Sequence, residues 1–146
     1  MEVTTARIEI LLVEDNLGDV LLTREALEHA AIDHHLSVVH DGVEAMDFLR
    51  RTGRHTNAPR VNLILLDLNL PRMGGRDVIA EIRRDPILSK IPLVVVTSSQ
   101  QDQDVLNGMD PQRCLYMVKP PVFPELVEIM RRIETFWLST STAGMA

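Results

Sequence analysis

The chain is poor in several things that would direct its chemistry elsewhere. Its 146 residues include one cysteine, Cys114, so no intrachain disulfide framework is possible. Cys114 sits in an apolar run and reads as a small buried residue. No apolar stretch is long enough to cross a bilayer. The opening Met1-Glu2-Val3-Thr4-Thr5-Ala6-Arg7 is not a secretory signal, because the apolar run after it leads straight into Glu14-Asp15. No glycine-rich phosphate loop follows any apolar run, which disfavours a nucleotide or flavin site. Basic charge is in deficit: the net charge is −6, which argues against a nucleic-acid surface. Lysine is scarcest, with only Lys90 and Lys119 against thirteen arginines. Repeats, linkers and low-complexity tracts are also missing. The length suits one domain with a sizeable core, expected to be soluble and cytoplasmic, with no membrane or nucleic-acid partner.

What is present is a set of apolar runs with polar endings. Ile8 to Val13 stops at Glu14-Asp15, Leu63 to Leu66 at Asp67, Leu93 to Val96 at Thr97, and Cys114 to Val118 at Lys119. Runs this apolar suit strands buried on both faces of a parallel sheet. Ligands of open α/β sheets bind outside the carboxyl ends of the strands. Three carboxylates, a hydroxyl and a lysine would therefore meet in one pocket, suited to a divalent cation and a phosphoryl group.

Helical and strand patterns alternate. Strands are expected at about Ile8–Val13, Leu36–Val39, Leu63–Asp67, Leu93–Thr97 and Cys114–Val118. Helices are expected at about Leu17–Ala30, with Asn16 as N-cap, Gly42–Arg51, Arg76–Arg84, Asp102–Met109 and Phe123–Leu138. The third must stop before Pro86, and the fourth is weak and polar. Thr52 to Val61 reads as a polar loop. Pro71 to Gly75 reads as a turn with two glycines available for positive φ. His34-His35 reads as a solvated turn before the second strand. His29, His40 and His55 complete a set of histidines without metal-ligand spacing. Ser139 to Ala146 reads as a frayed tail (139–146). Strict alternation implies a parallel sheet with right-handed crossovers and helices on both faces.

Four pieces in order, Leu-Leu-Val-Glu14-Asp15-Asn16, Leu-Ile-Leu-Leu-Asp67-Leu-Asn69-Leu-Pro71-Arg-Met-Gly74-Gly75, Val-Val-Val-Thr97-Ser98-Ser99 and Tyr116-Met-Val-Lys119-Pro120, carry a family likeness. Over about Arg7 to Leu138 (7–138) the chain resembles a response-regulator receiver domain, similar to the chemotaxis receiver. The resemblance implies a doubly wound, flavodoxin-like (βα)5 fold, a five-stranded parallel α/β sheet of order 2-1-3-4-5. Pro121 doubles the single proline usual after the lysine. The loop Arg51 to Pro59, the stretch Asp85 to Pro92 and the ending Phe136-Trp137-Leu138 further resemble single-domain regulators that partner phytochrome-type histidine kinases.

The resemblance also implies roles. Asp67 matches the phosphoacceptor of a two-component phosphorelay. Glu14 and Asp15 match the acidic pair that helps hold Mg²⁺, with Asp67 and the Asn69 backbone carbonyl completing the set. The ion prefers octahedral oxygen ligands and keeps several waters. Lys119 and the Thr97 hydroxyl would take the other faces of the phosphoryl group. Ser99 and Asn69 would flank the attacking water and tune phosphoryl lifetime. Tyr116, the only tyrosine, matches the switch aromatic, although a half-buried strand tyrosine explains it as well. The surface expected to change is the fourth helix, fifth strand and fifth helix. No output domain follows, so the expected output is a contact with a downstream protein whose identity is unknown, or onward phosphotransfer.

Rival readings follow from the same residues. A phosphatase of the haloacid-dehalogenase type also uses a strand-end aspartate, but needs a second aspartate two residues later, where Asn69 stands. A degenerate receiver acting as a constitutive binding module is disfavoured by the intact Glu14, Asp15, Asp67, Thr97 and Lys119. The chain is therefore expected to be a phosphoacceptor rather than an enzyme. The last helix has two readings. Phe123, Leu126, Val127, Met130, Ile133 and Trp137 form one stripe, widened by Val122, Ile129 and Phe136. Either the helix is clamped between sheet and neighbouring helix, or Val122, Ile129, Ile133, Phe136 and Trp137 form a homodimer interface; the homodimer, built on the fourth helix, fifth strand and fifth helix, is the expectation.

Overall fold

The computed structural model describes residues 7–145, with side chains described to residue 140. Five strands, β1 (Ile8–Val13), β2 (His34–Val39), β3 (Leu63–Leu66), β4 (Leu93–Thr97) and β5 (Cys114–Val118), form one parallel sheet of order β2-β1-β3-β4-β5. Among the described residues, four α-helices accompany them: α1 (Leu17–His29), α2 (Gly42–Arg50), α3 (Gly75–Arg84) and α4 (Phe123–Met145). This is the doubly wound fold expected from the alternation. No described helix is long and apolar enough to cross a membrane.

Alternation along the central strands builds two cores. Leu11, Val13, Ile64, Leu66, Leu93 and Val95 pack with residues of α2 and α3. Ile8, Ile10, Leu12, Leu63, Leu65 and Val94 pack with residues of α1 and α4. Side chains of adjacent strand residues point to opposite faces, so a strand covered on both sides must be apolar at every position. Strand-like pairing continues past the apolar runs. The Glu14 amide donates to Val39 O at 3.0 Å, that of Asp67 to Val13 O at 3.0 Å, and that of Lys119 to Thr97 O at 2.8 Å. The polar endings are thus anchored by backbone at one edge of the sheet.

Several expectations needed correction. The second strand begins at His34, because parallel pairing of Ile8 with His34 and Glu9 with His35 extends the ladder through polar residues. His34-His35 is therefore strand rather than turn, and His35 Nδ1 lies 2.8 Å from Glu9 Oε2. In place of the fourth helix there is one 3-10 turn, Gln103–Leu106, with only Val105 buried. Its Gln-Asp-Val-Leu sequence offers no apolar stripe, and Gly108, at φ +85°, turns the chain away. The last helix continues past Leu138 to Met145, where a tail was expected. Cys114 is half-buried on the edge strand, with Sγ donating to Asp110 O at 3.3 Å.

The turn after β3 also works differently. Neither of its glycines uses positive φ; Arg72 does, at 61°. Gly75 is needed for closeness, since a Cβ there would lie 2.6 Å from Leu68 Cα and 2.8 Å from Asp67 O.

The broad apolar stripe of α4 is largely buried within the chain's own core. Ile129, Ile133 and Trp137 are buried in the core, and the Trp137 indole donates to Asn62 O at 3.3 Å. Of the five residues expected at a dimer interface, only Val122 is exposed, and Phe136 is half-buried. The clamped-helix reading accounts for the rest.

Candidate functional site

Of the residues singled out above for chemistry, all but Thr97, Ser99 and Tyr116 line one open pocket at the carboxyl edge of the sheet. Glu14, Asp15, Asp67, Asn69 and Lys119 line it, together with Asn16, Leu17, Gly18, Asp19 and Ser98. Glu14 and Asp67 are buried, and Asp15 is exposed. Asn69 presents its amide to the site, donating to Asp67 Oδ1 at 3.0 Å.

The centre of the pocket is an ion cluster around Lys119. Its ammonium donates to Glu14 Oε1 at 2.8 Å, Asp19 Oδ2 at 2.9 Å and Asp67 Oδ2 at 2.9 Å. An ammonium has three N–H donors, so all are engaged. Burial disfavours the charged lysine, but the hydrogen bonds to Glu14, Asp19 and Asp67 outweigh it and raise its pKa above the ordinary value. Burial pushes Glu14 up to about 7, and the Asp67 charge adds to that. The Lys119 hydrogen bond and charge, with the Asn16 amide, pull the other way. One half-buried lysine does not balance this many carboxylates.

Among the described residues, no three His, Cys, Asp or Glu side chains form a ready-made metal cage. The ammonium lies between Glu14 and Asp67 and takes an oxygen from each. The donor chemistry nevertheless fits a hard divalent cation. Every available ligand is oxygen, the charge is in surplus, and Asp15 stands exposed at the pocket.

Thr97 is buried, and its hydroxyl accepts from the Ser99 amide at 3.4 Å. Tyr116 OH donates to Ser99 O at 2.5 Å. The two expected switch residues therefore hold opposite sides of one residue, Ser99. Tyr116 is half-buried against the core that faces α2 and α3.

Asp19 was missed by sequence reasoning. A signal was available: Asn16 Oδ1 accepts from the Asp19 amide at 3.0 Å and caps α1. A side chain three residues after a cap that directly follows a strand end sits beside the strand-end pocket.

Residues 10–131 match the model of the response regulator receiver domain. The chain belongs to the response-regulator receiver family. This receiver is 45% identical over 137 residues to the response regulator Rcp1 of Synechocystis sp., covering 94% of this chain and 93% of that protein. It superposes on the crystal structure of a phosphorylated cyanobacterial phytochrome response regulator, RcpA, with a TM-score of 0.80 and 45% identity, covering 92% and 96% of the two chains. The Mn²⁺-bound form of Rcp1 gives 0.78 and 44%, covering 90% and 94%. As a receiver, the chain is a phosphoacceptor of two-component signalling.

Proposed function

We propose that Asp67 accepts the phosphoryl group from a phytochrome-type histidine kinase, with Mg²⁺ held by Glu14, Asp15, Asp67 and the Asn69 backbone. The observation that carries this reading is Lys119: its ammonium already binds an oxygen of Asp67, at the end of a buried strand, beside the exposed Asp15. Similarity to Rcp1 and to the phosphorylated RcpA supports the kinase class.

An Asp67 carboxylate oxygen attacks phosphorus, the P–N bond of the donor phosphohistidine breaks, and the imidazole leaves with its electron pair and takes up a proton. Bound Mg²⁺ supplies charge neutralisation to the transferring group. Lys119 shifts a donor from Asp67 to a phosphoryl oxygen. Thr97 turns its hydroxyl to the same group, which releases the Ser99 amide and with it the hold of Tyr116. Such transfer is mostly positioning and neutralisation. Asn69 stands where a haloacid-dehalogenase-type enzyme would need its acid/base aspartate, so the role is acceptor rather than turnover enzyme.

Three further parts belong to this reading. The location is cytoplasmic. The changed surface spans the 3-10 turn, β5 and α4, and passes the signal to a downstream protein. The receiver forms a homodimer through a patch narrower than the sequence suggested, anchored by Val122 and Phe136.

The test uses acetyl phosphate with Mg²⁺ and intact-mass measurement. The unmodified protein should gain one phosphoryl mass, EDTA should abolish it, and Asp67→Asn should not acquire it. A phosphoryl mass on Asp67→Asn sinks the assignment. Sedimentation of Val122→Asp beside the unmodified protein tests the dimer; a monomer in both states of phosphorylation removes it.

A further inference from the structure

Lys119 has a third partner, Asp19, that neither binds the phosphoryl group nor accepts it. Glu14 and Asp67 belong to the acid cluster that a cation would draw on. Asp19 is set by a different element, the first turn of α1, with its amide fixed by the Asn16 cap at 3.0 Å and its Oδ2 2.9 Å from Lys119 Nζ. We infer that Asp19 is a positioning residue for phosphoryl transfer, holding the Lys119 ammonium so that one N–H stays directed at the acceptor oxygen. The inference rests on Asp67 being the acceptor.

The geometry of an ammonium carries the argument. Its three donors diverge, so fixing two of them on Glu14 and Asp19 directs the third at Asp67 Oδ2. Once Asp67 is phosphorylated, its bonded oxygen is a poor acceptor and the phosphoryl oxygens are strong ones. Lys119 then exchanges one hydrogen bond and keeps two. Without Asp19, a flexible four-carbon stem would rely on Glu14 alone. Glu14 is also the carboxylate whose charge a bound cation shares, so Asp19 becomes the firmer anchor in the reacting state.

The experiment compares phosphorylation time courses with acetyl phosphate and Mg²⁺ for the unmodified protein, Asp19→Ala and Asp19→Asn, with Mg²⁺ affinity measured separately by NMR titration. Losing a charge-assisted hydrogen bond should slow Asp19→Ala about tenfold while its Mg²⁺ affinity is unchanged. Asp19→Asn keeps an acceptor oxygen and should recover most of the rate. In a Lys119→Ala background, Asp19→Ala should have no further effect. Asp19→Ser, too short to reach Nζ, replaces Asp19→Ala if the alanine variant folds poorly. An unmodified rate in Asp19→Ala overturns the inference. So does an equal loss in the Lys119→Ala background, or a fall in Mg²⁺ affinity parallel to the rate. These outcomes leave Asp67 as acceptor, which only a phosphorylated Asp67→Asn would remove.

Discussion

Lys119→Met keeps the stem and removes the charge, leaving Glu14 and Asp67 buried together with Asp19 alongside. Removing one member of a buried ion pair costs roughly 3–5 kcal/mol. The Lys119 side chain is 21% exposed and Asp19 37%, so solvent screens part of the repulsion and about 2–3 kcal/mol is expected at pH 8 in EDTA. That corresponds to a fall in Tm of roughly 5–10 °C for a domain of this size. The deficit should depend on pH with a definite sign. Glu14 is raised from 4.5 to about 7 in the folded protein. A raised folded pKa contributes stability below the unfolded value, and that contribution is lost as pH rises through the folded one. Without the ammonium the folded pKa of Glu14 rises further, so the deficit should be smaller at pH 5 than at pH 8. A divalent cation supplies the missing charge, so saturating Mg²⁺ should stabilise the variant more than the unmodified protein. Thermal unfolding by circular dichroism from pH 5 to 8, in EDTA and in Mg²⁺, measures all of this. A pH-independent deficit, or equal Mg²⁺ stabilisation of both proteins, refutes the account of the cluster.

Thr97→Ala should still be phosphorylated but should transmit less to Tyr116, because the Ser99 bridge has lost one grip; identical phosphorylation-induced tyrosine NMR shifts in variant and unmodified protein would contradict the coupling. Tyr116→Phe removes the hydrogen bond to Ser99 O and should cost about 1 kcal/mol, read by urea unfolding. Gly75→Ala forces a methyl group towards Leu68 Cα and should destabilise by about 1–3 kcal/mol, with slower phosphorylation because Leu68 adjoins the acceptor. Mg²⁺ binding requires Glu14 to shed any proton it holds, so apparent Mg²⁺ affinity should weaken as pH falls below about 7, as an NMR titration at pH 6 and 8 would show.

The sheet was legible because strands buried on both faces must be apolar throughout, and Leu63 to Leu66 and Leu93 to Val96 are. The site was legible for the same reason, since a charged or hydroxyl residue ending such a run has nowhere to go but the sheet edge. What escaped the sequence was set by tertiary geometry. His34 and His35 join β2 through backbone pairing that their side chains do not advertise. Arg72 adopts the positive φ that the neighbouring glycines were expected to supply, and Gly75 is needed for space instead. The apolar stripe of α4 could not reveal which residues α1 and the sheet would cover, so Ile133 and Trp137 looked available when they are core. Asp19 was hidden because its role depends on a lysine a hundred positions away.

The 3-10 turn between β4 and β5 has a consequence for how a signal spreads. A full helix there would move as a rigid rod, its backbone hydrogen bonds breaking together. Here the connection buries one apolar side chain, Val105, and is tied to α3 by Arg76, whose guanidinium donates to Asp102 at 2.6 Å. Segments with few buried contacts open locally at a fraction of the global unfolding free energy. The stretch from Ser99 to Met109 is therefore the least expensive part of this edge to remodel, and its amides should exchange with solvent ahead of those in β4.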